Sequence, residues 1–171
     1  MKKTKVRPPD PKKRLRIAII VGIVIVVGVI GFSYNLDQAK LSGQRFGDDL
    51  SLIQSDLSNE TSNYYEKVSM YEKGQIPRDQ ILNITDQHLA SMRNLLTKYD
   101  SLNPPQPFIA SLRLFRLSTE TQIDSDKLLK EWIQTGDNST KAKSDQLLQE
   151  SFQYEMNALH SYNNAKASNS K

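Results

Sequence analysis

Beyond residue 36 the apolar residues recur at intervals of three and four, the period of an amphipathic α-helix. The first row is Phe46, Leu50, Ile53, Leu57, Tyr64, Val68 and Tyr71, which predicts a helix over residues 37–73. Gly74 supplies a stop just past its end, and Pro77 suits the first turn of the next helix. A second row, Ile81, Thr85, His88, Met92, Leu95, Tyr99 and Leu102, predicts a helix over residues 77–102. "NPPQP" at 103–107 ends it, because proline disfavours helical backbone in the residue before it.

The third row is Leu112, Phe115, Thr119, Gln122, Asp126, Leu129 and Ile133, predicting a helix over 107–135 that Gly136 stops. Ile123 competes with Gln122 for the core slot. "DNST" at 137–140 then offers cap residues for a fourth helix over 139–166, with Leu148, Phe152, Glu155, Leu159 and Tyr162 inward. No stretch alternates at period two for long enough to make a strand. Three short connections force neighbouring helices antiparallel, so residues 37–167 are expected to form an up-down-up-down four-helix bundle, with a polar tail at 168–171.

Residues 17–36 break this pattern. Twenty residues pass without a charge, and twelve of the first sixteen are Ile, Val or Phe. Their helical length is about 30 Å, the thickness of a bilayer's hydrocarbon core. Eleven are β-branched, but a lone segment in lipid has to satisfy its own backbone hydrogen bonds, which selects helix. Ile17, Val21, Gly22, Val26 and Phe32 belong to this expected anchor, and Ala18 with Gly22 forms a small-xxx-small pair suited to helix dimerisation. The competing reading is an export signal cleaved after Ser33, which would release a soluble, secreted bundle.

Charge orients the anchor. Residues 1–16 carry eight Lys or Arg against Asp10 alone, within a chain of net +4 whose remaining 155 residues are mildly acidic. A basic tail directly before an apolar run is the positive-inside signal, which puts the N-terminus in the cytoplasm and the bundle outside. It argues for a bilayer rather than nucleic acid as the partner of the basic tail.

Candidate chemistry is sparse. With no cysteine there is no disulfide, thiolate metal site or lipid-modified cysteine. Neither His88 nor His160 has metal-ligand spacing, and no phosphate loop or nucleophile elbow occurs, so no cofactor, metal or catalytic residue is expected. Folding the helices back at their turns places Thr61, Thr85, His88, Thr119, Gln122 and Glu155 in one mid-bundle polar layer. Such a layer either fixes helix register or lines a ligand cavity, with Glu155 raising the proton affinity of His88. Leu114, Leu117 and Tyr154 fall outside the core rows and are expected to form an exposed apolar stripe for a protein partner or second copy. Three glycosylation sequons begin at Asn59, Asn83 and Asn138, about the number chance supplies. Trp132 is expected to pack in the core or at the bundle end.

In architecture residues 17–166 resemble the exported four-helix sensor domains of bacterial chemoreceptors and some histidine kinases, though no motif is shared. Those receptors carry a second membrane helix and a cytoplasmic signalling region after the bundle, where this chain has polar residues. The expected function is that of a membrane-anchored interaction or accessory module, with extracytoplasmic ligand binding or sensing as the alternative.

Overall fold

A computed structural model describes residues 40–168, and among them finds four α-helices and no strand. Helix α1 is Lys40–Glu72, α2 is Arg78–Asp100, α3 is Ile109–Thr135 and α4 is Asn138–Ser168, with a short 3-10 turn at Gln106–Phe108 before α3. The expected anchor with Ile17, Val21, Gly22, Val26 and Phe32, and the basic tail before it, lie outside the described residues. Among the described residues no helix is long and apolar enough to cross a membrane.

Each boundary has a local cause. Gly74 takes φ +71°, and the Gly74 and Gln75 amides donate to the carbonyls of Tyr71 and Met70. This pair of bonds is a Schellman end, and it needs a residue that tolerates left-handed backbone. Gly136 repeats the device at φ +77° with one bond, to the carbonyl of Trp132. The Asp137 carboxylate then caps α4, accepting from the Ser139 amide at 2.9 Å and from the Ser139 and Thr140 hydroxyls. Those bonds, led by the Ser139 hydroxyl, hold its carboxyl below the ordinary carboxylate range.

Two expected starts shift. Pro77 is extended, at φ −73° and ψ 161°, and stands just before α2 rather than in its first turn. Pro107 sits in the 3-10 turn, and α3 begins at Ile109. Both prolines leave helical hydrogen bonding to the residues that follow.

Cross-helix contacts define the topology. Tyr64 meets Thr85 and Gln54 meets Tyr99, so α1 and α2 are antiparallel. His88 meets Asp126 and Tyr99 meets Thr119, and Ser118 meets Ser151, so α2–α3 and α3–α4 are antiparallel too. Most of the apolar positions predicted from sequence form the core. Tyr71, Leu102 and Leu112 are half-buried at its edge, and Phe152, expected inward, is half-buried outside it because Ser151 takes the buried place on α4. Phe46, Leu50, Ile53, Phe108, Phe115, Leu159 and Tyr162 fill one end, while Tyr64, Val68, Ile76, Ile81, Leu129 and Ile133 fill the other.

Helices α3 and α4 approach most closely, for a reason the apolar rows do not show. Ser111, Ser118 and Ser125 on α3, and Ser144, Ser151, Ala158 and Ala165 on α4, recur every seven residues and are buried. Small side chains let the two backbones come together. The hydroxyls of Ser118, Ser125 and Ser144 satisfy facing carbonyls, while those of Ser111 and Ser151 donate three residues back along the chain. Ser125 Oγ donates to the Ser144 carbonyl at 2.7 Å, and Ser144 Oγ donates back to the Ser125 carbonyl at 2.8 Å. Ser118 Oγ reaches the Ser151 carbonyl at 2.8 Å.

The expected exposed stripe is not there. Leu114 is half-buried against the core end containing Phe46, and Leu117 and Tyr154 are half-buried as well. Close packing of α3 on α4 draws in the flanking positions. Among the described residues the exposed large apolar ones are instead Leu52, Ile109 and Met156, scattered over three helices.

Candidate functional site

Between the two apolar ends the core is polar. All six residues expected there, Thr61, Thr85, His88, Thr119, Gln122 and Glu155, are buried. They do not form one layer. Hydrogen bonds divide five of them between two clusters and a separate Gln122–Thr61 pair, while Glu155 is tied to the second cluster only by its charge.

The first cluster is built around His88 of α2. Its Nδ1 lies 2.9 Å from Glu60 Oε1 on α1, and its Nε2 lies 3.1 Å from Asp126 Oδ2 on α3. The ring stacks on Tyr64 with centroids 3.9 Å apart and planes 8° from parallel. Asp126 is fully buried, and its other oxygen accepts from the Tyr65 hydroxyl at 2.8 Å. Tyr64 in turn shares a hydrogen bond with Thr85, whose hydroxyl also donates to the Ile81 carbonyl. Three side chains from two helices, Glu60 and Tyr64 of α1 and Asp126 of α3, thus converge on one imidazole carried by α2.

Electrostatics follow from that packing. Burial alone would lower the proton affinity of His88, but the hydrogen bonds and charges of Asp126 and Glu60 outweigh it and hold the imidazole above its ordinary value of 6.5. Burial, reinforced by the Asp126 charge, pushes the Tyr64 and Tyr65 phenols far up, so both remain neutral donors.

The second cluster lies toward the other end. Gln54 Nε2 donates to the Tyr99 hydroxyl at 2.7 Å, and that hydroxyl shares a 3.2 Å bond with Thr119. The Glu155 charge contributes, after burial, to raising the Tyr99 phenol. Glu155 itself is pushed up to about 7 by removal from water. Its Oε1 and the Oε1 of Gln54 are buried without a hydrogen-bond partner. Between the clusters, Gln122 Nε2 donates to the Thr61 hydroxyl at 2.9 Å. Ile123 is buried beside it, packing with Leu57, Leu89, Met92 and Leu95, so both competing residues take core positions on different sides of α3.

The pairing of Glu155 with His88 expected from sequence is therefore corrected. Counting back from the α3–α4 turn set Gln122 opposite Phe152. The serine contacts instead set Ser118 opposite Ser151, which carries Glu155 toward the level of Leu114 and roughly three turns from Asp126. The carboxylates facing His88 are Glu60 and Asp126. Asp126 was visible as a charged residue in an apolar row of α3. Glu60 was not, since it lies at the rim of α1 and remains about a third exposed.

Among the described residues no group of His, Asp and Glu could hold a metal ion. Trp132 packs at the bundle end, edge-on to Tyr71 and beneath the Lys141 ammonium at 3.8 Å. The three sequon asparagines are exposed, Asn59 and Asn83 within helices and Asn138 at the start of α4. Comparison with protein-family models, with curated proteins and with solved structures finds no match for this chain.

Proposed function

We propose that this protein is held in a membrane by residues 17–36, with residues 1–16 in the cytoplasm and the bundle outside, where it acts as a non-catalytic interaction or accessory module. One observation carries the reading: twenty uncharged residues follow a segment with eight basic ones. The positive-inside rule gives that order its direction. The bundle contributes the argument against chemistry on a substrate. Its one buried histidine is closed off from water and engaged on both nitrogens by side chains of the same chain. The Ala18–Gly22 pair supports close approach of a second anchor, and a homodimer or a protein partner in the same membrane fits that feature.

The test is the mass and N-terminal sequence of the mature protein from carbonate-washed membranes and from the soluble fraction. An intact N-terminus retained with membranes supports the anchor, and crosslinking there then identifies neighbours. A soluble chain beginning near Tyr34 overturns it.

A second reading, ligand binding or sensing within the bundle, is favoured by a different observation. Gln54 and Glu155 present two buried oxygens with no hydrogen-bond partner. A ligand rich in donors would suit them, and calorimetric titration of the intact chain with ammonium and guanidinium compounds tests it.

A further inference from the structure

The two buried ionisable centres share a property that neither has alone. A neutral imidazole carries one N–H and one lone pair. Both nitrogens of His88 nevertheless lie within hydrogen-bond distance of a carboxylate oxygen. Facing a carboxylate with a lone pair is repulsive, so two protons have to be shared among the three groups, and the imidazole is the most basic of them. Every element packed on the ring contributes. Glu60 and Tyr64 face it from α1 and Asp126 from α3, with the Tyr65 phenol behind Asp126.

Glu155 poses the complementary case. It projects from α4 into a buried setting where its charge acts on the Tyr99 phenol of α2, the same phenol that Gln54 of α1 bonds, and its Oε1 accepts nothing. A charged carboxylate there has neither a cation nor a donor at that oxygen, whereas a protonated one carries a hydrogen to give. The orphaned acceptor on Gln54 sits in the same cluster.

Both centres lie where α1 meets the rest of the bundle. Helix α1 is tied to α2 through Glu60–His88 and Gln54–Tyr99, and to α3 through Thr61–Gln122 and Tyr65–Asp126. Helices α3 and α4 are joined by serine hydroxyls on carbonyls, which do not titrate in this range.

We propose that the bundle is proton-responsive: it closes fully with both nitrogens of His88 and the carboxyl of Glu155 protonated, and loss of these protons loosens α1 from a lasting α3–α4 hairpin. The two centres act in the same direction, because each binds its proton more tightly in the folded chain. Loss of the His88 proton sets a lone pair against a carboxylate. Ionisation of Glu155 leaves a buried charge. A bundle built this way is firmest in mild acid and most open on the alkaline side of neutrality. The idea is independent of the anchor, so its failure leaves the topology untouched.

The experiment uses the full chain in detergent micelles. Amide protection factors, corrected for intrinsic exchange, are measured at pH 5 and pH 8.5. Nitrogen-15 spectra of the His88 ring are recorded at pH 7 in a His160→Gln background, which leaves one histidine to assign. The expected result is two protonated ring nitrogens at pH 7, where an ordinary imidazole is mostly neutral. Protection in α1 should fall about tenfold or more between the two pH values, while α3 and α4 around Ser118, Ser125, Ser144 and Ser151 change little. Glu155→Gln, which keeps the shape of the neutral carboxyl, should remove part of the α1 loss. A neutral His88 ring at pH 7 overturns the proposal, as does α1 protection that is equal at the two pH values or that falls in step with α3 and α4.

Discussion

His88 Nε2 and Asp126 Oδ2 stand 3.1 Å apart, 38 residues distant in sequence and with both side chains removed from water. Asp126 has a second duty, accepting the Tyr65 hydroxyl at 2.8 Å. One carboxylate therefore joins α1, α2 and α3 in the middle of the bundle.

Asp126→Ala should be among the most damaging single changes in the chain. It leaves a buried imidazole and a tyrosine hydroxyl without their partner, and breaking a buried pair from one side costs about 3–5 kcal/mol. Urea unfolding at pH 6 measures this. A loss below about 1 kcal/mol would mean that Glu60 alone holds the ring.

Stability should decline as pH rises through the range where Glu155 ionises. The unfolded carboxyl releases its proton near 4.5, while the folded one keeps it up to about 7. The stabilisation is complete below 4.5 and is lost between those values, a difference of about 3 kcal/mol at 1.36 kcal/mol per unit. His88 extends the decline, since its contribution holds below 6.5 and fades as pH rises through its raised folded value. Glu155→Gln should leave stability at pH 4 unchanged and raise it at pH 8. Denaturant midpoints at the two pH values decide the matter.

The α3–α4 contact tolerates removal of a hydroxyl better than added bulk. Ser125→Ala forfeits hydrogen bonds to Ser144, at a cost of about 1 kcal/mol. Ser125→Leu forces the helices apart and should cost about 1–3 kcal/mol or more. Thermal unfolding of the pair gives the order, and equal losses would show that close approach is not what matters there.

Gly136 isolates a purely backbone effect. A Cβ there would meet nothing within 4 Å, yet φ is +77°. Gly136→Ala should therefore cost about 1 kcal/mol through conformation alone, and Gly136→Asn less, because asparagine tolerates the left-handed region. Denaturant unfolding of both variants checks the order.

Much of this architecture was legible in the one-dimensional pattern. Rows from Phe46 to Val68, Ile81 to Tyr99 and Phe115 to Ile133 are local facts of spacing, and so are the stops at Gly74 and Gly136, which depend on backbone freedom at single residues. Helical period and chain termination act over a few residues, so a sequence states them directly. It also announced that Thr61, Thr85, His88, Thr119, Gln122 and Glu155 interrupt the core. Which polar group meets which was decided only in three dimensions. Reciprocal bonds between Ser125 and Ser144 set the α3–α4 register, and a shift of about one turn there moved Glu155 away from His88. Pairs such as Tyr65–Asp126 and Thr61–Gln122 span 61 residues, and nothing local encodes them. Their geometry depends on how closely whole helices approach, and that follows from the size of side chains on two surfaces at once.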